Sequence, residues 1–382
     1  MAENTREAAH QGWGPTSISA GVLSLASLGD VLLYVVLPVS AASFGVGLAW
    51  VGVLLAANRI TRIVLYGAVA AFGEATGSRS LAIVAAFAAA VSTLVLWAGD
   101  GGPILLVARI LWGLAFAGLS LAALSYAVAD RNRAGSRVGV SRAIHQMGPA
   151  LSLSVGAWLA GVVGPRDVFF LLGLVSLLAV PLASTLPKDE VRANREKTQW
   201  LPKPKLFDLF FFVVGLVVDG VFAMTVALML AKTASPEAAM LAAGLILALR
   251  RFGEILLAPV GGFLGDRLGT GKVLFMSTVL LALGFAVLAA GQTFAGSLLV
   301  IAARAAIAAL GPAVVAQRAG GEGTLHRLAV MQTWRDFGAA VGPLITGILL
   351  EAVSLELINA ALVVLVAVSL LALRAPGKAA VR

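Results

Sequence analysis

The chain of 382 residues has no cysteine and only three histidines. Without cysteine there is no disulfide, no thiolate metal site and no thiol nucleophile. His10, His145 and His326 stand far apart in the sequence, so no metal site is expected. Charge is scarce as well: 12% of residues are Asp, Glu, Lys or Arg, where a soluble domain carries about 25%. The alternation over roughly ten residues that marks a transmembrane β-barrel is missing. A phosphate-binding loop is also missing: in the stretch LGTGKV, Asp266 stands five residues before Gly271 where glycine is needed, and Val273 replaces Ser or Thr. ATP-driven transport therefore has no support. The first residues, MAENTREAAHQGWGPTS, hold no basic segment running into a short apolar region, so no cleaved signal peptide is expected.

What remains is apolar: 60% of the chain is hydrophobic. Runs of about 20 apolar residues, each long enough to cross a bilayer as a helix, recur along its whole length. The reading is an all-α polytopic membrane protein with twelve transmembrane helices arranged as two six-helix pseudo-symmetric bundles. The expected organisation is an N-terminal segment 1–15, a first bundle 16–186, a linker 187–205, a second bundle 206–374 and a tail 375–382. The linker, PKDEVRANREKTQWLPKPK, is the longest polar stretch and is marked by its charge and prolines. Eighteen Lys and Arg residues fall in one alternate set of loops and the termini, against two (Arg166 and Lys232) in the opposite set. The positive-inside rule then places both termini and the linker in the cytoplasm. The net charge of +9 is a matter of topology, and no nucleic-acid partner is expected.

The two halves repeat. At an offset of 192, LLAANRITRIVLYGAVAAFGEATGSR lies over ILALRRFGEILLAPVGGFLGDRLGTG, matching Arg59 with Arg251, Gly73 with Gly265, Glu74 with Asp266 and Gly77 with Gly269. The fourth and tenth spans match Arg109 with Arg304 at an offset of 195, and the fifth and eleventh match Gly148 with Gly338. The first and seventh spans each carry one mid-span aspartate, Asp30 and Asp219. A parallel repeat of six and six is the arrangement of transporter halves related by an axis along the membrane normal.

On these residues the chain resembles the major facilitator superfamily. GGFLGDRLGTGK, Gly261 to Lys272, is similar to that family's loop motif between the eighth and ninth spans. FGEATGSR is its degenerate first-half counterpart, with Glu74 for aspartate and Ala75 for arginine. Arg109 followed by Gly113 resembles the family's fourth-span arginine motif, with Trp112 where glutamine is common. The resemblance implies a transporter fold and a conformational latch formed by Gly265, Asp266, Arg267 and Gly269, mirrored more weakly by Gly73, Glu74, Gly77 and Arg79. Gly148-Pro149 in the fifth span is what survives of the exporter branch's pattern, and it leans the reading towards efflux.

Independently of any family, ionisable residues lie well inside spans 1, 2, 4, 5, 7, 8, 10 and 11, whereas spans 3, 6, 9 and 12 have none. Such charges face a bundle interior or a wet cavity, so they mark the solute pathway. Depth along each helix pairs Asp30 with Arg59 and Asp219 with Arg251, and Glu254 sits one turn from Arg250 and Arg251. Two readings of these pairs stand: they brace the hairpins, or they couple solute to protons. Eight arginines face four carboxylates within the spans, and guanidinium suits a carboxylate or phosphate, so an anionic or zwitterionic organic solute is expected. The candidate solute-binding residues are Arg59, Arg62, Arg250, Arg251, Tyr34, Asn58, Arg109 and Arg304. The candidate proton carriers are Asp30, Asp219, Glu254 and Asp336.

The expected function is a proton-coupled efflux antiporter working by alternating access. It is not an enzyme and needs no cofactor beyond the proton gradient. Its expected partners are a small-molecule solute, protons and the lipid bilayer, and it is expected to be a monomer in the cytoplasmic (inner) membrane. The alternatives are an exporter of cationic or neutral amphiphiles, an uptake symporter of an organic anion, and a non-transporting membrane sensor.

Overall fold

The computed structural model describes residues 12–188, 204–231, 236–319, 323–349 and 352–373. Residues 1–11 of the N-terminal segment, 189–203 of the expected linker and the tail 375–382 lie outside the described residues. Every regular element described is helical. In hydrocarbon this follows from the backbone itself, since a helix satisfies its own N–H and C=O groups within one segment.

Among the described residues, ten helices are long and apolar enough to cross a membrane. The eighth span, Pro236–Leu268, and the eleventh, Thr324–Leu349, are as long but concentrate charge. The second span, Leu48–Thr76, ends at Gly77, which turns the chain back at φ +89°. The third span, Ser78–Ala98, starts immediately after it. Gly269, at φ +100°, makes the same turn between the eighth span and the ninth, Thr270–Ala289. Both turns need a left-handed backbone that other residues seldom adopt.

The chain divides into two compact units, Met1–Asp130 with Ala143–Leu201, and Arg131–Arg142 with Pro202–Arg382. The first third of the fifth span thus groups with the second unit. Inside the first unit, the fourth span, Gly102–Ala127, packs on the first, second and third, and the third packs on the sixth. Inside the second, the tenth span, Thr293–Ala319, packs on the eighth and ninth, and the ninth packs on the twelfth, Leu355–Leu373. The repeat read in the sequence is therefore repeated in the packing.

Two of the spans are interrupted by π-helical turns. In the fifth span these cover Ser152–Gly156. In the seventh they cover Gly215–Phe222, between Leu206–Val214 and Ala223–Ala231, and they contain Asp219. Against this bulge the eleventh span lies so close that a methyl group on Gly338 would meet the Phe212 carbonyl, and one on Gly215 the Arg335 carbonyl. Gly220 and Gly342 face each other across the same seam, where an added Cβ on Gly342 would come within 2.6 Å of the Gly220 Cα. Close backbone approach through small residues drives helix association where no hydrophobic effect operates. The matching seam in the first unit has the same close approach, a methyl on Gly148 meeting the Ser24 carbonyl, and adds hydroxyls. Ser24 Oγ accepts the Gly148 N–H at 2.8 Å, and Ser152 Oγ donates to the Leu28 carbonyl at 2.6 Å.

Candidate functional site

In the first unit the chemistry gathers where the first, second and fourth spans meet. The first span breaks at Ser27, between Trp13–Ala26 and Leu28–Val39, and Asp30 follows one turn later. Arg109 of the fourth span reaches across: its Nη1 meets Asp30 Oδ1 at 2.5 Å and its Nε donates to the Leu54 carbonyl at 2.9 Å. Asn58 Nδ2 donates to the same Asp30 oxygen at 3.2 Å. The Tyr34 hydroxyl donates to the Leu55 carbonyl at 3.2 Å and to Asn58 Oδ1 at 3.5 Å, and its ring lies 5.6 Å from the Arg109 guanidinium carbon. One turn beyond Asn58, the buried Arg62 lays its guanidinium 4.5 Å above the centre of the Phe116 ring. Arg109 is 1% exposed, yet its Nη2 meets no acceptor, and neither does Nε1 of the buried Trp112 three residues on.

The second unit repeats this arrangement with more charge. Arg304 of the tenth span grips Asp219 through Nε at 3.0 Å and Nη2 at 2.9 Å, and holds Glu254 through Nη1 at 3.2 Å. Arg250 Nη2 adds a contact to Asp219 at 3.3 Å. Arg142, in the part of the fifth span that groups with this unit, approaches Glu254 at 3.9 Å. On the eleventh span Arg335 pairs with the neighbouring Asp336 at 3.2 Å. Asp219 owes its place to the π-turns, a distortion found disproportionately at functional sites.

Depth along single helices paired Asp30 with Arg59 and Asp219 with Arg251. In the structure the arginines that hold the two aspartates come from the fourth and tenth spans. Asn58 and Arg250, equivalent positions at the 192-residue offset, supply the second contact in each unit. Arg59 and Arg251 lie half-buried on the same helices. Register along a helix gives depth but not facing direction, and the fourth span, packed on both the first and second, is what closes the triangle.

The expected latch residues sit at the helix turns. Asp266 Oδ1 accepts the Gly135 N–H at 2.8 Å, and its Oδ2 accepts the Ser136 N–H at 2.8 Å and the Ser136 hydroxyl at 2.5 Å. It therefore caps the start of the fifth-span helix, Ala134–Leu151, where exposed amides and the helix dipole favour a carboxylate. Arg267 stacks over Phe263 of its own helix at 4.2 Å. Gly77 and Gly269 donate their N–H groups to the Gly73 and Gly265 carbonyls at 2.8 and 2.9 Å, so the two turns are built alike. Ser78 and Ser125 join hydroxyls at 2.8 Å where Thr270 and Gln317 bond at 2.6 Å. Glu74 and Arg79 are half-buried at the first of these turns. Asp208 is a helix-start residue, as its position at the head of the seventh span suggests: its Oδ2 accepts the Lys205 N–H at 3.0 Å. Among the described residues no group of three or more His, Asp or Glu is placed to hold a metal ion.

The sequence reading did not single out Phe116, and it noted Trp112 as the residue in place of glutamine in the fourth-span motif. An aromatic two turns from Arg109 on the same helix is the signal that points to the first; the second shows itself only through its unsatisfied N–H.

Two six-span repeats, each carrying an aspartate–arginine bond in mid-span, define a membrane protein built like a solute transporter. The sequence profile of the Major Facilitator Superfamily matches the chain twice, over residues 20–233 and 209–381. The chain belongs to that superfamily, a family of transporters rather than enzymes. No curated protein matches it in sequence. Among solved structures, the human organic anion transporter MFSD10 (TETRAN) superposes with a TM-score of 0.74 at 13% identity, covering 95% of this chain and 99% of that one. The E. coli fucose:proton symporter FucP gives 0.74 at 12% identity, covering 94% and 98%. A bacterial homologue of the iron transporter ferroportin, in an outward-facing state, gives 0.65 at 16% identity, covering 95% and 100%. At these identities the similarity is one of fold.

Proposed function

We propose that the protein is a proton-coupled secondary transporter that exports a small anionic or zwitterionic organic solute by alternating access. In this reading it works as a monomer in the cytoplasmic (inner) membrane with both termini in the cytoplasm. The observation that carries the reading is the repeated aspartate–arginine bond, Asp30–Arg109 and Asp219–Arg304, set in clusters where guanidinium outnumbers carboxylate. An anionic solute competes with the aspartate for the arginine. An aspartate released in low dielectric is then readily protonated, and one re-engaged gives the proton up. Solute and proton thereby promote each other's binding: this linkage supports proton coupling, and taken alone it favours movement of both in one direction, as in the uptake-symport alternative. Efflux is supported by Gly148-Pro149 in the fifth span. The cap that Asp266 places on the fifth-span helix is the contact that breaks and reforms during the cycle.

Flux in proteoliposomes tests this. A panel of organic anions, imposed against a pH gradient, should reveal at least one whose movement collapses when the gradient is dissipated. Asp30→Asn should retain solute exchange but lose gradient-driven accumulation. Full gradient-driven activity in both Asp30→Asn and Asp219→Asn would refute the coupling. Gradient-driven flux of cationic amphiphiles alone would refute the substrate sign.

A further inference from the structure

At offsets of 189, 192 and 195 residues for the first, second and fourth spans the two charged clusters can be laid over each other residue by residue. Asp30 lies on Asp219, Asn58 on Arg250 and Arg109 on Arg304, and each makes the equivalent bond. The correspondence fails at one place. Glu254, which takes Nη1 of Arg304, lies on Arg62, a residue of opposite charge. The consequence is visible on Arg109. It spends one terminal nitrogen on Asp30 and its Nε on the Leu54 carbonyl, while its Nη2 meets no acceptor inside a side chain 1% exposed. Arg62 is turned onto the Phe116 ring, at a register where the second unit carries Gly311. A second buried donor points the same way. Nε1 of Trp112, also 1% exposed, lacks an acceptor and is three residues from Arg109, on the same helix face.

Leaving a buried donor unsatisfied is costly, and two neighbouring donors with no acceptor between them call for a group that only accepts. We infer that the Nη2 edge of Arg109 and the indole N–H of Trp112, flanked by Arg62, bind a carboxylate group of the transported solute, which takes the part towards Arg109 that Glu254 takes towards Arg304. This rests on the anionic-solute reading above and goes beyond it by assigning the docking edge, the unit and the chemical class. A planar carboxylate suits the site. Its two oxygens match one guanidinium nitrogen and one indole N–H, and its single charge matches the one carboxylate that the second unit holds in the same register. Tyr34, 44% exposed and lying over the Arg109 guanidinium, is the side chain that moves aside to admit it.

The probe is benzoate, with benzamide as its neutral isostere, and the readout is the melting temperature of the purified full-length protein in detergent. A ligand of the folded state raises that temperature by mass action. Benzoate should give a saturable rise of several degrees and benzamide none. Trp112→Phe should need several-fold more benzoate for half the effect. Arg62→Glu, which supplies the carboxylate from within, should melt at or above the wild-type temperature without ligand and show no benzoate response. The inference is overturned if Arg62→Glu keeps the response or melts well below wild type, or if benzamide acts as benzoate does. It is equally overturned if benzoate has no saturable effect, in which case the two donors serve a water only. Binding in detergent needs no gradient, so a normal benzoate response without pH-driven flux refutes the transport reading alone. PH-driven anion flux that survives unchanged in Arg62→Glu refutes this site alone.

Discussion

In the first unit Asp30 is held by one guanidinium and one amide, whereas in the second Asp219 is held by two guanidinia, and Arg304 spans two carboxylates. The two clusters occupy equivalent positions in the repeat. Besides the π-turns that hold Asp219 alone, they differ in the side chains at positions 58 and 62 on one side and 250 and 254 on the other. In the second unit Glu254 completes Arg304, while Nε of Arg142 and Nε of Arg335 meet no acceptor. In the first it is the central Arg109, with Trp112 beside it, that keeps a donor over. The repeat supplies the same scaffold twice, with the central arginine satisfied within one copy and left in need of an outside acceptor in the other.

The largest test of this contrast is to remove the central arginine from each unit. Arg304→Ala removes the principal partner of two carboxylates, leaving Asp219 with Arg250 and Glu254 with the more distant Arg142; breaking a buried ion pair from one side costs about 3–5 kcal/mol, so the variant should fail to give folded protein in detergent. Arg109→Ala strands one carboxylate that still has Asn58, and it should fold with a clearly lower melting temperature. Equal losses in the two variants would erase the distinction. Next in size are the two seams. Gly338→Ala drives a methyl against the Phe212 carbonyl, an overpacking worth about 1–3 kcal/mol, whereas Ser24→Ala removes one hydroxyl contact worth about 1 kcal/mol. Thermal denaturation should rank them in that order, and a reversal would mean that the seventh–eleventh contact yields more easily than its geometry suggests. The smallest effects belong to the turn between the eighth and ninth spans. Asp266→Ala removes a helix cap, a loss of about 1 kcal/mol, while Arg267→Ala gives up only an exposed stacking contact and should change stability by less than about 0.5 kcal/mol. An Arg267 effect larger than that of Asp266 would show that the arginine has a partner in another state of the cycle.

Much of this fold could be read from the residues because the bilayer imposes a simple rule. Length and apolarity give the spans, lysine and arginine in the loops give the expected sidedness, and mid-span charge marks which helices carry the chemistry. The glycines at 77 and 269 could likewise be placed at turns from their repeat register alone. What could not be read was azimuth. The pairing of Asp30 with Arg109 depends on the fourth span crossing behind both members of the first hairpin, and nothing in the spacing of a single helix records that crossing. The π-turns around Asp219 were invisible for a related reason. An extra residue per turn leaves no mark in composition, yet it rotates everything that follows and spoils any face drawn at the ordinary helical period. Asp266 was legible as a motif residue, but its acceptor role was not, because its partners at Gly135 and Ser136 are main-chain amides.

That last detail has a consequence for how the protein tolerates change. A bridge between two side chains is lost when either gene position drifts, and salt in the medium weakens it. The carboxylate of Asp266 instead holds peptide groups that every sequence able to form the fifth-span helix must present. Besides Asp266 itself, the anchor asks only that Gly135 stay free of a side chain, since an added Cβ there would come within 2.6 Å of the carboxylate; the amides are inherited with the backbone.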